Sequence, residues 1–230
     1  MGSSVPATFE AYVRVFHPVQ GSTPAKIHTW REVCHHNVKF AHSLMQWQSI
    51  RTDRFGGVWP DGDPEVGSLP LHTFRGLVRS LLVQGSQNDC SAGWWRGWAI
   101  LRDLLPRLSR EGAFRPSGAT ASTTGDTDVF GTSASYLDLP QRSYTVLQSS
   151  LGGLLQQRLL SVSALWRSPN ILWSSDRSWF LATEIDFDST LLGGSRALID
   201  KVAADASLEL MEVHPSDNLT VFGDIPNAIT

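Results

Sequence analysis

The sequence contains little cysteine and little charge. Cys34 and Cys90 are the two cysteines in 230 residues, so a disulfide scaffold is not indicated. Charged residues make up 18% of the chain, below the roughly one quarter that is usual in a globular domain. The formal net charge of −3 weighs against a nucleic-acid partner, because such binding needs a cationic surface.

Long apolar runs and common catalytic signatures are also lacking. No stretch approaches the roughly 18 apolar residues of a membrane span, and the first 12 residues do not show a basic region followed by an apolar core. We therefore expect a cytoplasmic protein with reduced thiols and no membrane partner. A GxSxG elbow, a P-loop and a GxGxxG turn are absent, so the sequence assigns no catalytic residues, and no cofactor is expected apart from a possible divalent cation.

The clearest local order lies near the C-terminus. Apolar and polar residues alternate from Trp179 to Phe187, which predicts a strand. Gly193 and Gly194 are expected to end that strand, and Ser195 is a favourable helix N-cap. Helical spacing follows at Leu198, Ile199, Val202, Ala203 and Ala206. A short extended run, Leu208–Val213, then predicts a second strand, so this region is expected to form a strand-helix-strand unit.

The N-terminal region shows a similar order. Phe9–His17 alternates and predicts a strand. Thr29 and Glu32 have the spacing of a capping box, which predicts a helix from Trp30 to about His42. Met45–Ile50 is interpreted as a short strand, so a strand-helix-strand unit is expected at this end too.

The middle of the chain is less regular. An apolar face from Phe74 to Leu82 predicts a helix, Trp94–Leu101 is interpreted as a strand, and Leu151–Trp166 as a helix. The segment 112–135 is rich in Gly, Ser and Thr and predicts a flexible insertion. We predict one α+β domain over residues 1–230, with helices packed on a mixed β-sheet.

Three acidic residues form the first candidate site. Glu184, Asp186 and Asp188 alternate along the predicted C-terminal strand, so their side chains are expected on one face, roughly 6.6 Å apart. Carboxylates in this arrangement can bind a divalent cation such as Mg²⁺ or Ca²⁺ with the help of a further ligand. A solvated sheet face is the favoured alternative.

The turn into the C-terminal helix is a second candidate. Free amides at Gly193, Gly194 and Ser195 can hold an anion at a helix N-terminus. The pattern lacks the Lys-Ser/Thr pair of a P-loop, and Asp188 disfavours a phosphate nearby. A close-packed turn is therefore the favoured interpretation.

Nine tryptophans are unusual and supply the third candidate. Trp94, Trp95 and Trp98 form one cluster, and Trp173 lies in a second. Indole rings can stack on sugars, bases or cations, or can contact a partner protein. A core or interface role is favoured over a small-ligand platform.

The stretch SPNILWSSDRSWFLATEIDFDSTLLGGSRALID, at 168–200, resembles an uncharacterised protein family common in actinobacteria. The segments FEAYVRVFHPV and MQWQSI resemble parts of the same family pattern. The resemblance touches both ends of the chain and implies one structural unit. Since the family has no established activity, the resemblance implies no catalytic residues.

Three functions follow as hypotheses. The leading one is a non-enzymatic protein-binding protein, with an adaptor or immunity-like role, which contacts another protein through an aromatic surface. The second is a metal-dependent hydrolase or nuclease-like enzyme that uses Glu184, Asp186 and Asp188. The third is a small-ligand or carbohydrate binder that uses Trp94, Trp95 or Trp98.

Overall fold

A large antiparallel sheet organises the chain. The computed structural model describes residues 4–21, 26–84, 89–98, 114–115, 135–139, 142–156 and 166–228. The strands are β1 Ala11–Phe16, β2 Val19–Gln20, β3 Ile27–His28, β4 Asp89–Trp95, β5 Phe114–Arg115, β6 Ser135–Leu139, β7 Arg142–Ser150, β8 Ile171–Ser174, β9 Phe180–Ala182, β10 Ser189–Gly194 and β11 Leu210–Val213. The α-helices are α1 Trp30–Asn37, α2 Trp47–Ile50, α3 Leu71–Gln84, α4 Leu151–Gln156 and α5 Arg196–Ala203.

Nine of these strands form one sheet in the order β11-β1-β10-β9-β8-β4-β7-β5, with β6 also paired to β7. Strands β2 and β3 form a separate ribbon. All the described pairings are antiparallel, where the sequence analysis expected a mixed sheet. The predicted α+β class, with helices packed on the sheet, is confirmed.

The C-terminal strand-helix-strand unit is present. Strands β10 and β11 both pair antiparallel with β1, which lies between them, so they run parallel to each other. Helix α5 connects them, and Ser195 is its N-cap, as predicted. The N-terminal strand β1 therefore occupies the place between the two strands of the C-terminal unit, and the two ends of the chain share one sheet.

The predicted strand Trp179–Phe187 is wrong in its extent. It divides into β9 and a turn, in which Phe187 N–H donates to the Glu184 carbonyl at 3.0 Å, and the chain then returns as β10. Both a single strand and a hairpin alternate in polarity, so the pattern does not distinguish them.

Gly193 and Gly194 do not end a strand, because they form the last two residues of β10. A Cβ atom on Gly193 would lie 2.7 Å from the Phe9 ring and 2.8 Å from the Tyr12 ring. A Cβ on Gly194 would lie 2.8 Å from Leu198. The glycine pair is needed for close packing on both faces of β10.

Helix α1 is confirmed, and its capping box is formed by Thr29 and Glu32. It ends at Asn37 rather than His42. The predicted strand Met45–Ile50 is wrong, because Trp47–Ile50 is a helical turn. Trp47 and Ile50 are spaced by three residues, so the helical turn brings both into the core beside α1.

In the middle of the chain, helix α3 agrees with the predicted apolar face. The predicted strand Trp94–Leu101 is wrong in its extent, because β4 runs from Asp89 to Trp95 and the chain then turns at 96–97, while 99–101 lie outside the described residues. The predicted insertion at 112–135 lies outside the described residues except for 114–115 and 135, and the predicted helix beyond Gln156 lies outside them until Trp166.

The sheet has apolar packing on both faces. The helix face carries Val13, Val15 and Leu192, which pack against α3, α4 and α5. The opposite face, which we call the loop face, carries Tyr12, Arg14 and Phe16; near Phe16 it packs against α1 and α2. Within the described ranges, the longest helix has 14 residues, and none has the length and apolarity to cross a bilayer.

Candidate functional site

The acidic residues of the predicted metal site do not share one strand face. Glu184 and Asp186 lie in the turn between β9 and β10, where Arg142 of β7 reaches both. Arg142 Nε donates to Glu184 Oε1 at 3.1 Å, and Nη2 donates to Asp186 Oδ2 at 3.3 Å. A guanidinium thus occupies the position that a cation shared by these carboxylates would need.

Asp188 has a different partner. Its Oδ1 lies 3.6 Å from Nη2 of the buried Arg14. Burial raises the pKa of Asp188, and Arg14 opposes that shift. Across the part of the chain that the structure describes, no group of three or more His, Cys, Asp or Glu side chains is arranged to hold a metal ion. The geometry therefore gives the metal-site hypothesis no support.

The predicted anion site is also occupied by the protein itself. Ser195 Oγ accepts the N–H of Leu198 at 3.2 Å, and Glu10 accepts the N–H of Arg196 at 2.8 Å. Gly193 and Gly194 belong to β10, where their backbone groups pair with β1. The Glu10 carboxylate thus lies at the first turn of α5, where an anion would otherwise bind. The turn caps the helix and does not favour phosphate binding.

The predicted tryptophan surface is mostly interior. Trp94 is buried in the helix-face core, and its Nε1 donates to the Arg167 carbonyl at 3.1 Å. Trp95 and Trp98 are half-buried, with ring centroids 5.8 Å apart. Both donate to Oδ1 of Asn170, from Trp95 N at 2.9 Å and from Trp98 Nε1 at 3.2 Å. This arrangement joins the end of β4 to the start of β8.

Trp173 is half-buried on the loop face of β8. Its ring stacks on Phe180 of β9, with centroids 6.0 Å apart and planes 15° apart. The four tryptophans therefore do not form one exposed platform: Trp94 points into the core, Trp95 and Trp98 brace a strand end, and Trp173 stacks across a strand pair.

Several strongly exposed apolar side chains lie in two other segments. Residues 38–40 follow α1, and residues 221–227 contain two short 3₁₀ turns, at 221–223 and 225–227. We call their five exposed apolar side chains the tail surface. They are Val38 (82% exposed), Phe40 (63%), Val221 (59%), Phe222 (83%) and Ile225 (79%).

Polar side chains of the C-terminal segment join these two regions. Asn227 Oδ1 accepts Phe40 N–H at 2.8 Å, and Asn227 Nδ2 donates to the Phe40 carbonyl at 2.9 Å. The buried Asp224 accepts Nε2–H of His42 at 2.7 Å and the backbone N–H of Gln46 at 2.8 Å. These contacts hold residues 224–227 against residues 40–46.

The buried side chain of Arg14 also contacts the segment that follows residues 38–40. Arg14, on the loop face of β1, donates from Nη1 to the Ser43 carbonyl at 3.1 Å and to the Met45 carbonyl at 2.8 Å. Burial lowers the pKa of Arg14 to about 10, while Asp188 and Asp224 oppose the shift. Because Arg14 stays charged at neutral pH, it fixes residues 43–45 to the sheet and stabilises the Asp224 carboxylate.

Val38 has a strained backbone. It follows the last residue of α1 with φ 55° and ψ 47°, the left-handed conformation. The N–H groups of Val38 and Lys39 donate to the carbonyls of His35 and Cys34, as in a Schellman motif that usually has glycine at this position. A β-branched residue is an outlier there, and the conformation costs about 1–2 kcal/mol for an L-residue. Backbone strain of this kind at an exposed position indicates a role other than stability.

The sequence analysis missed this site. It placed residues 38–40 inside the helix predicted from Trp30 to about His42. Two signals were available: the capped helix lacks a glycine after Asn37, and apolar residues stand among turn formers in TVFGDIPN. Comparison with family models, curated proteins and solved structures gives no match, so the resemblance to an actinobacterial family stays a prediction.

Proposed function

We propose that the protein is a non-enzymatic protein-binding protein, with an adaptor or immunity-like role, and that its partner docks on the tail surface. The aromatic contact expected from the tryptophans is assigned instead to Phe40 and Phe222. No described arrangement of nucleophile, base and open cleft favours an enzyme over this function.

The size of the tail surface supports the proposal. A Phe side chain presents roughly 200 Å², so the exposed fractions of Phe40 and Phe222, 63% and 83%, correspond to about 300 Å². Val38, Val221 and Ile225 add to that area. Exposed patches of roughly 300–600 Å² are the largest on a typical monomer and are often functional.

Val38 is the single observation that carries the proposal. Glycine or asparagine would fit the left-handed conformation at lower cost. Their side chains would contribute no apolar contact. The backbone of Val38 closes the end of α1, but its side chain is 82% exposed and buries little within the protein, so its isopropyl group is best explained by contact with another molecule.

The test uses two phenylalanines with the same exposure. Phe222 is 83% exposed in the tail surface, and Phe55 is 82% exposed in the turn at 53–57. Immobilised wild-type protein, F222S and F55S are each incubated with extract of the source organism, and bound proteins are quantified by mass spectrometry. We expect F222S to lose a partner that F55S retains, by roughly thirtyfold for a hot-spot residue. Equal recovery by the two variants would exclude the tail surface as the docking site.

A further inference from the structure

We draw no further inference here: the strongest candidate, the exposed apolar patch of the tail surface, belongs to the site already described, and nothing in the part of the chain that the structure describes shows what covers it.

Discussion

Asn227 holds the backbone of Phe40 from both sides. Its carboxamide accepts the N–H of Phe40 at 2.8 Å and donates to the carbonyl of the same residue at 2.9 Å. The two residues are 187 positions apart in the chain. This pair ties the C-terminal segment to residue 40. The exposed apolar side chains of Val221, Phe222 and Ile225 bury little area that could hold the segment in place.

Removing the Asn227 carboxamide should free the C-terminal segment without unfolding the sheet. In N227A, both hydrogen bonds to the Phe40 backbone and the one to Asp224 are lost, and the local opening free energy of 219–228 should fall by about 1–3 kcal/mol. Hydrogen exchange followed by mass spectrometry should show faster exchange in 219–228 and unchanged exchange in β1. N218A is the matched control, because Asn218 bonds to Thr220 within the segment. Equal acceleration in β1 would show that Asn227 instead supports the whole fold.

Replacing Val38 should separate stability from binding. Asn tolerates the left-handed conformation, so V38N should be about 1 kcal/mol more stable than wild type in urea denaturation. The same variant should bind its partner more weakly, since it loses the isopropyl contact. V38T keeps the β-branch and should show no gain in stability. A V38N protein that is less stable than wild type would contradict the assignment of strain.

The pH dependence of stability should report the buried His17. Its Nδ1 lies 2.6 Å from the Glu65 carbonyl, so Nδ1 carries the proton, and Nε2 accepts the hydroxyl of Thr190 at 2.9 Å. Thr190 then accepts the hydroxyl of Thr183 at 2.7 Å. Burial lowers the pKa of His17 to about 4 from its usual 6.5. The unfolded chain therefore binds a proton between these two pH values and the folded protein does not.

The free energy of unfolding should consequently fall as pH falls through that window. A shift from 6.5 to about 4 corresponds to about 3 kcal/mol. Burial raises the pKa values of Asp188 and Glu209, which act in the opposite direction over the most acidic part of the range. H17N keeps a donor for the Glu65 carbonyl and does not titrate, so the difference between the wild-type and H17N curves isolates His17. A constant difference from pH 7 to pH 4 would mean that His17 is not buried as a neutral side chain.

Removing the Arg142 side chain should lower the free energy of unfolding only slightly. Arg142 is partly exposed and bonds Glu184 and Asp186, so R142A should lower the free energy of unfolding by about 1 kcal/mol or less. Titration with Mg²⁺ or Ca²⁺, followed by calorimetry, should give no binding heat in the wild-type protein. Tight binding that E184Q abolishes would revive the metal-site hypothesis.

Patterns with a local cause were predictable from the sequence. The capping box of Thr29 and Glu32, the N-cap Ser195 and the apolar face of α3 depend on residues within a few positions of each other, and the structure contains all three. The division of the predicted strand near Phe187 was not predictable, because a hairpin and a strand share the same alternation.

The tail surface depends on features that sequence patterns do not contain. The bond between His42 and Asp224 spans 182 positions, and the left-handed backbone of Val38 is set by the end of α1. The acidic residues were assigned to one face by their spacing, but Arg142 and Arg14 divide them between two partners. Such long-range pairs are decided by the whole fold.

Photo-crosslinking in living cells of the source organism tests the docking surface most directly. A benzophenone amino acid is placed at position 222 in one strain and at position 55 in another, since both native phenylalanines are more than 80% exposed. Irradiation should join position 222, and not position 55, to one protein, which mass spectrometry then identifies. Adducts from both positions in equal yield, or from neither, would contradict the assignment of the tail surface as the site where a partner binds.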